Sequence, residues 1–109
     1  MVEEVRLGMV KIIPIQAIPN QQFQVVLDGQ NCVIHLYQKG KFMYFDLTCN
    51  GTKIRDGAIC LSSVDLVQYP TPYFSGVLFF TDNTDHDQPP YYAELGKRYF
   101  LCFDDGAEE

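Results

Sequence analysis

Tryptophan is missing from this 109-residue chain, and basic residues are few: eight Lys and Arg stand against fourteen Asp and Glu, a net charge of −6. So acidic a balance argues against wrapping nucleic acid, which needs concentrated Lys and Arg to neutralise phosphates. No apolar run reaches the roughly 20 residues of a membrane-spanning helix. The opening MVEEVRLG is acidic and lacks the continuous apolar region of a secretion signal, so synthesis in the cytoplasm is expected. The only histidines are His35 and His86, and Cys32, Cys49, Cys60 and Cys102 form no C-x-x-C pair. Short-spaced zinc ligation therefore has no support, and without an export signal the cysteines read as free thiols acting as small buried hydrophobes. Neither a G-x-G-x-x-G nor a Walker loop occurs, and no serine lies in a G-x-S-x-G setting.

What is present is the material of a sheet. Hydrophobic residues at 47% and charged residues at 20% are globular values, and 109 residues suit one domain with its own core. Aromatics reach 14%, all Phe and Tyr, and flat rings pack well between strands. The expected plan is an N-terminal extension over 1–8, one β domain over 9–104 and an acidic mobile tail over 105–109.

Alternation with a period of two recurs along the chain. Strands are expected over 10–17, 23–27, 32–38 and 42–49, with Pro14 confining the first to an edge or a bend. Phe23, Val25 and Leu27 share one face, as do Cys32, Ile34 and Leu36. In the fourth strand Met43, Phe45, Leu47 and Cys49 form a wholly apolar face, opposite Phe42, Tyr44, Asp46 and Thr48. Asp28-Gly29 and Lys39-Gly40-Lys41 read as tight turns, and Asn50-Gly51 is the strongest hairpin signal, favouring a type I′ turn. A short return over 52–54 is expected to turn again at Arg55-Asp56-Gly57. A strand over 58–62 follows, and residues 63–68 either extend it or form a helical turn. The run Val77-Leu78-Phe79-Phe80 suits a strand buried on both faces. Residues 82–90 read as a polar surface loop, 91–95 as a helical turn stopped by Gly96, and 98–103 as the last strand. Seven or eight short strands with almost no helix define an all-β fold, an antiparallel β-sandwich or small barrel.

Chemistry is sparse in this pattern. His35 sits mid-strand on the face opposite Ile34 and Leu36 and reads as a packed or surface histidine rather than a catalytic base. Asp82, Asn83, Asp85 and Asp87 offer oxygen ligands for calcium, yet the EF-hand spacing is absent and the run reads as a solvated loop. Pairing Glu94 with Asp82 or Asp87 as glycosidase carboxylates has no support, since nothing fixes their separation. The expectation is a non-enzyme without a cofactor or metal. The candidate partner-binding residues are Tyr69, Pro70, Pro72, Tyr73, Phe74, Tyr91 and Tyr92, aromatic rings whose prolines limit the freedom lost on binding. The same rings can instead cap the ends of a sandwich, or stack on a sugar as a carbohydrate-binding module would.

Four segments taken in order carry a resemblance: IIPIQAIPNQQF (12–23), DGQNCVIHLYQ (28–38), DLTCNGTKIRDG (46–57) and VDLVQY (64–69). Together they resemble a family of small tailed-phage proteins named for the cyanophage baseplate plug, over about residues 9–103. PNQQF and NGTxIRxG contribute most of the specificity. The resemblance implies a structural component of a contractile-tail baseplate, a virion protein present in several copies around the tail axis. It implies contact with the tail tube or hub and a part in closing the central channel. It brings no catalytic motif with it.

Overall fold

The structure is a computed structural model that describes residues 10–68 and 71–105. The expected extension over 1–8 and all but the first residue of the acidic tail lie outside the described residues. Seven strands among the described residues form two antiparallel sheets. β1 (Val10–Ile13), β6 (Val77–Asp82) and β7 (Tyr99–Asp104) make a three-stranded sheet in the order β1-β7-β6. β2 (Asn20–Leu27), β3 (Gln30–Lys39), β4 (Phe42–Cys49) and β5 (Thr52–Ile59) follow one another across a four-stranded sheet.

The turns explain the registers. Asp28 and Gly29 have φ of 51° and 75°, and Asn50 and Gly51 have 49° and 84°, the positive pairs that type I′ hairpins require. Two-residue loops set the β2–β3 pairing so that Phe23 faces Ile34 and Val25 faces Cys32. They also set β3–β4, where Ile34 faces Leu47 and Leu36 faces Phe45. One face of the four-stranded sheet thereby collects Cys32, Ile34, Leu36, Met43, Phe45, Leu47 and Cys49, all buried. Leu78 and Phe80 of β6 and Tyr99, Leu101 and Phe103 of β7 complete the same core cluster from the other sheet. Two sheets sharing one core make a β-sandwich.

Three local expectations need correction. Arg55-Asp56-Gly57 does not turn the chain; β5 runs through it, and the irregularity is absorbed as bulges opposite Phe45, Leu47 and Thr48. Gly57 at φ +69° gives its N–H to Asp46 Oδ1 at 2.6 Å instead of to the ladder. β1 ends at Ile13, because Pro14 has no amide to continue the ladder. β6 alternates buried Leu78, Phe80 and Asp82 with half-buried Val77, Phe79 and Thr81, so one of its faces is buried and the other only partly covered.

Of the strand expected over 58–62 only Ala58 and Ile59 are strand, as the end of β5, and residues 63–68 are neither a helical turn nor a strand extension. Cys60 N–H still donates to Met43 O at 2.9 Å, and the chain then crosses to β6, where Ser63 and Leu66 N–H donate to Phe80 O and Leu78 O at 2.7 and 2.8 Å. That crossing closes one side of the sandwich. On the other side β1 and β2 are edge strands, and the corner between them is held by two bonds: Gln16 N–H to Gln21 Oε1 at 3.0 Å and Gln21 Nε2 to Gln16 O at 2.7 Å.

Candidate functional site

The tyrosines expected to form one contact surface fall into two groups. Pro72 and Tyr73 are exposed at one end of the sandwich, Tyr73 with 58% of its surface open. Phe74 turns inward, 5% exposed, and packs edge-on to Phe103 at a centroid distance of 6.0 Å. It anchors the loop. Gln30 holds this loop to β3: Ser75 N–H donates to Gln30 Oε1 at 2.9 Å and Gln30 Nε2 donates to Ser75 O at 3.1 Å. Tyr69 and Pro70 lie outside the described residues.

Tyr91 and Tyr92 belong to the other end. Both are exposed, and a 3-10 turn at Tyr92–Glu94 carries Tyr92. The Tyr91 ring stands edge-on to buried Tyr99 at 5.4 Å. Tyr92 N–H donates to Gln38 Oε1 at 3.1 Å. Gln30 and Gln38 are eight residues apart on one strand, about 26 Å at the usual rise. Each tyrosine group is thus tied to one end of β3, and the two cannot act as one site.

On the outward face of the four-stranded sheet His35 forms a cluster that sequence reasoning missed. Its Nδ1 lies 3.2 Å from Asp46 Oδ2 and its Nε2 2.9 Å from Asn20 Oδ1, while its ring stacks on Tyr37 at 4.7 Å. Tyr44 continues the stack at 6.0 Å from Tyr37. Burial pushes the Asp46 carboxyl up, but the Gly57 amide and His35 outweigh it and hold it below the usual carboxylate range. The pairing was available from the Gly40 turn, which sets His35 opposite Asp46. Both ring nitrogens are engaged, and through Asn20, His35, Asp46 and Gly57 the cluster ties β2, β3, β4 and β5 together.

The acidic loop is pinned rather than convergent. Asp82 is 5% exposed and meets Arg98 through two bonds, Nε to Oδ1 at 2.8 Å and Nη2 to Oδ2 at 2.9 Å. Thr84 and Gln88 add backbone N–H donors to the same carboxylate at 3.0 Å. Arg98 above all, with these donors, holds Asp82 far below the ordinary carboxylate range. Asp87 accepts from Ser63 Oγ at 2.9 Å. No group of three metal-ligating side chains converges among the described residues. The four cysteines are buried free thiols, Cys32 and Cys49 directly opposite each other with sulfurs 2.7 Å apart.

The polar clusters described above brace strands and loops. The family model described as "Cyanophage baseplate Pam3 plug gp18" matches residues 10–107. The chain belongs to the cyanophage baseplate plug family. No curated protein matches it. Membership makes the chain a virion tail component that interacts with other baseplate proteins, and a structural plug family suggests a protein that is not an enzyme.

Proposed function

We propose that this plug-family protein sits against the tail tube or hub and helps to close the central channel of the baseplate, in several copies around the axis. The observation that carries this reading is the placement of two exposed aromatic patches, Pro72 with Tyr73 and Tyr91 with Tyr92, at opposite ends of a rigid sandwich. Each patch is held by a glutamine of β3, so its rings lose little freedom on docking. A subunit with a contact at each end suits a piece seated between two neighbours. Release would follow when the baseplate rearranges and those contacts are exchanged.

A sugar platform that combines both tyrosine groups is disfavoured, since the glutamines that hold the two groups sit about 26 Å apart along β3. The test is analytical ultracentrifugation of the purified chain mixed with purified tail-tube and hub proteins. Co-sedimentation with one of them, weakened by Tyr73→Ala or Tyr91→Ala, is expected. Co-sedimentation with neither would overturn the reading.

A further inference from the structure

Of the four buried thiols, two face each other among the described residues. Cys32 on β3 and Cys49 on β4 are register partners in the middle pair of the four-stranded sheet, with sulfurs 2.7 Å apart. Cys102 by contrast turns its thiol to a backbone carbonyl, Phe100 O at 3.8 Å. The ladder explains the approach. Pairs in an antiparallel ladder alternate between hydrogen-bonded and non-hydrogen-bonded positions. Asn50 N–H donates to Asn31 O at 2.8 Å, so Asn31 and Asn50 occupy a hydrogen-bonded position and the cysteines the adjoining non-bonded one. There the Cα atoms stand about 4.5 Å apart and the side chains lie closest. A disulfide spans about 4.4–6.8 Å between Cα atoms, so joining this pair asks for little movement of the backbone.

Cys32 also meets a route from outside. It lines a surface cavity of about 470 Å³ together with Gln24, Val25, Val26, Asn31 and Val33, room enough for a small oxidant though not for a bulky reagent at the sulfur. The hydrogen bond between the thiols holds Cys32 below its ordinary value against the upward push of burial, while Cys49 is pushed well above. A thiol that ionises readily beside one that keeps its proton is the arrangement of an attacking and a resolving cysteine. We propose that Cys32 and Cys49 form a peroxide-driven redox site, whose disulfide locks β3 to β4 when the virion stands in an oxidising medium.

The chemistry takes two steps. The Cys32 thiolate attacks one oxygen of hydrogen peroxide; the O–O bond breaks, the sulfur becomes a sulfenic acid, and the departing hydroxide takes up the proton that Cys32 released, giving water. Cys49 Sγ then attacks the Cys32 sulfur. The S–O bond breaks, the S–S bond forms, and the second hydroxide leaves as water with the Cys49 proton. The two cysteines together lose two electrons and two protons, and one peroxide becomes two waters. The bond closes the loop between residues 32 and 49, so it removes freedom from the unfolded chain while the native sheet keeps its register. Extracellular surroundings, virion surfaces included, let such a bond persist, whereas a reducing cytoplasm keeps the pair as thiols.

The experiment treats the reduced, purified full-length chain with hydrogen peroxide in native buffer, removes the peroxide, alkylates the remaining thiols in urea, and maps tryptic peptides by mass. Free thiols are expected to fall from four to two, with one bond joining peptide 12–39 to peptide 42–53. Cys60 and Cys102 lie on other peptides and are expected to stay alkylated. The urea midpoint of the oxidised chain is expected to rise by about 1 M and to return with dithiothreitol. Cys49→Ala is expected to yield no linked peptide, and the wild-type map decides the matter even where that variant fails to fold. Four thiols retained in the native protein, a bond to Cys60 or Cys102 instead, or sulfinic acid at Cys32 with no bond would each overturn the site. A midpoint that stays level or falls on oxidation would overturn the lock.

Discussion

Gln30 and Ser75 clasp each other across 45 residues of sequence, with the side-chain amide of Gln30 both accepting from and donating to the Ser75 backbone. This reciprocal pair fixes the loop that carries Pro72 and Tyr73. Gln30→Ala should cost about 1 kcal/mol, the usual net value of such bonds. Hydrogen exchange of the Ser75 amide should accelerate in the same variant. An unchanged Ser75 exchange rate would show that the loop is held by Phe74 alone.

Tyr99 gives an opposite expectation. Its ring is fully buried, and its hydroxyl has no hydrogen-bond partner among the described residues. A buried hydroxyl left without a partner costs about 1–3 kcal/mol. Tyr99→Phe should therefore leave stability unchanged or raise it in urea unfolding. A loss of more than about 1 kcal/mol would point to a partner for the hydroxyl.

Acid should destabilise the protein through Asp82 and Asp46. Arg98 chiefly depresses Asp82, while the Gly57 amide and His35 depress Asp46 against the upward push of burial. In the unfolded chain both carboxyls titrate near about 3.9. A depressed folded value means the stabilisation is fully present above that pH and is lost as pH falls through it towards the folded value. Urea midpoints should hold between neutral pH and about 5, then fall steeply below about 4. Asp82→Asn should lower the neutral midpoint and flatten the acid slope; an unchanged slope would remove Asp82 from the account.

All four thiols should resist a bulky thiol reagent in the native protein and react together once it unfolds. Cys32, Cys49, Cys60 and Cys102 are buried, and burial pushes the Cys60 and Cys102 thiols up, away from the reactive thiolate. One thiol reacting at once under native conditions would contradict the packing described for it.

Much of this fold was legible because hairpin chemistry and alternation agree. Asn50-Gly51 placed the β4–β5 turn, and the apolar face of Met43, Phe45, Leu47 and Cys49 is buried as read. Arg55-Asp56-Gly57 misled because the same residues suit a turn or a bulge, and only the Asp46 carboxylate waiting on β4 decides between them. The division of the tyrosines was also hidden, since sequence closeness says little about which end of a strand a loop reaches. Val77 and Phe79 are the most instructive departure. Their apolar run reads as a strand buried on both faces, yet Val77 and Phe79 are only half-buried while Leu78 and Phe80 are buried.

The most direct test of the account is an electron cryomicroscopy reconstruction of the intact tail compared with one from virions lacking this protein. The account expects sandwich-shaped density at the baseplate axis, contacting tube or hub and narrowing the channel, that disappears in the deletion. Identical axial density in both particles, or this chain located away from the baseplate, would contradict it.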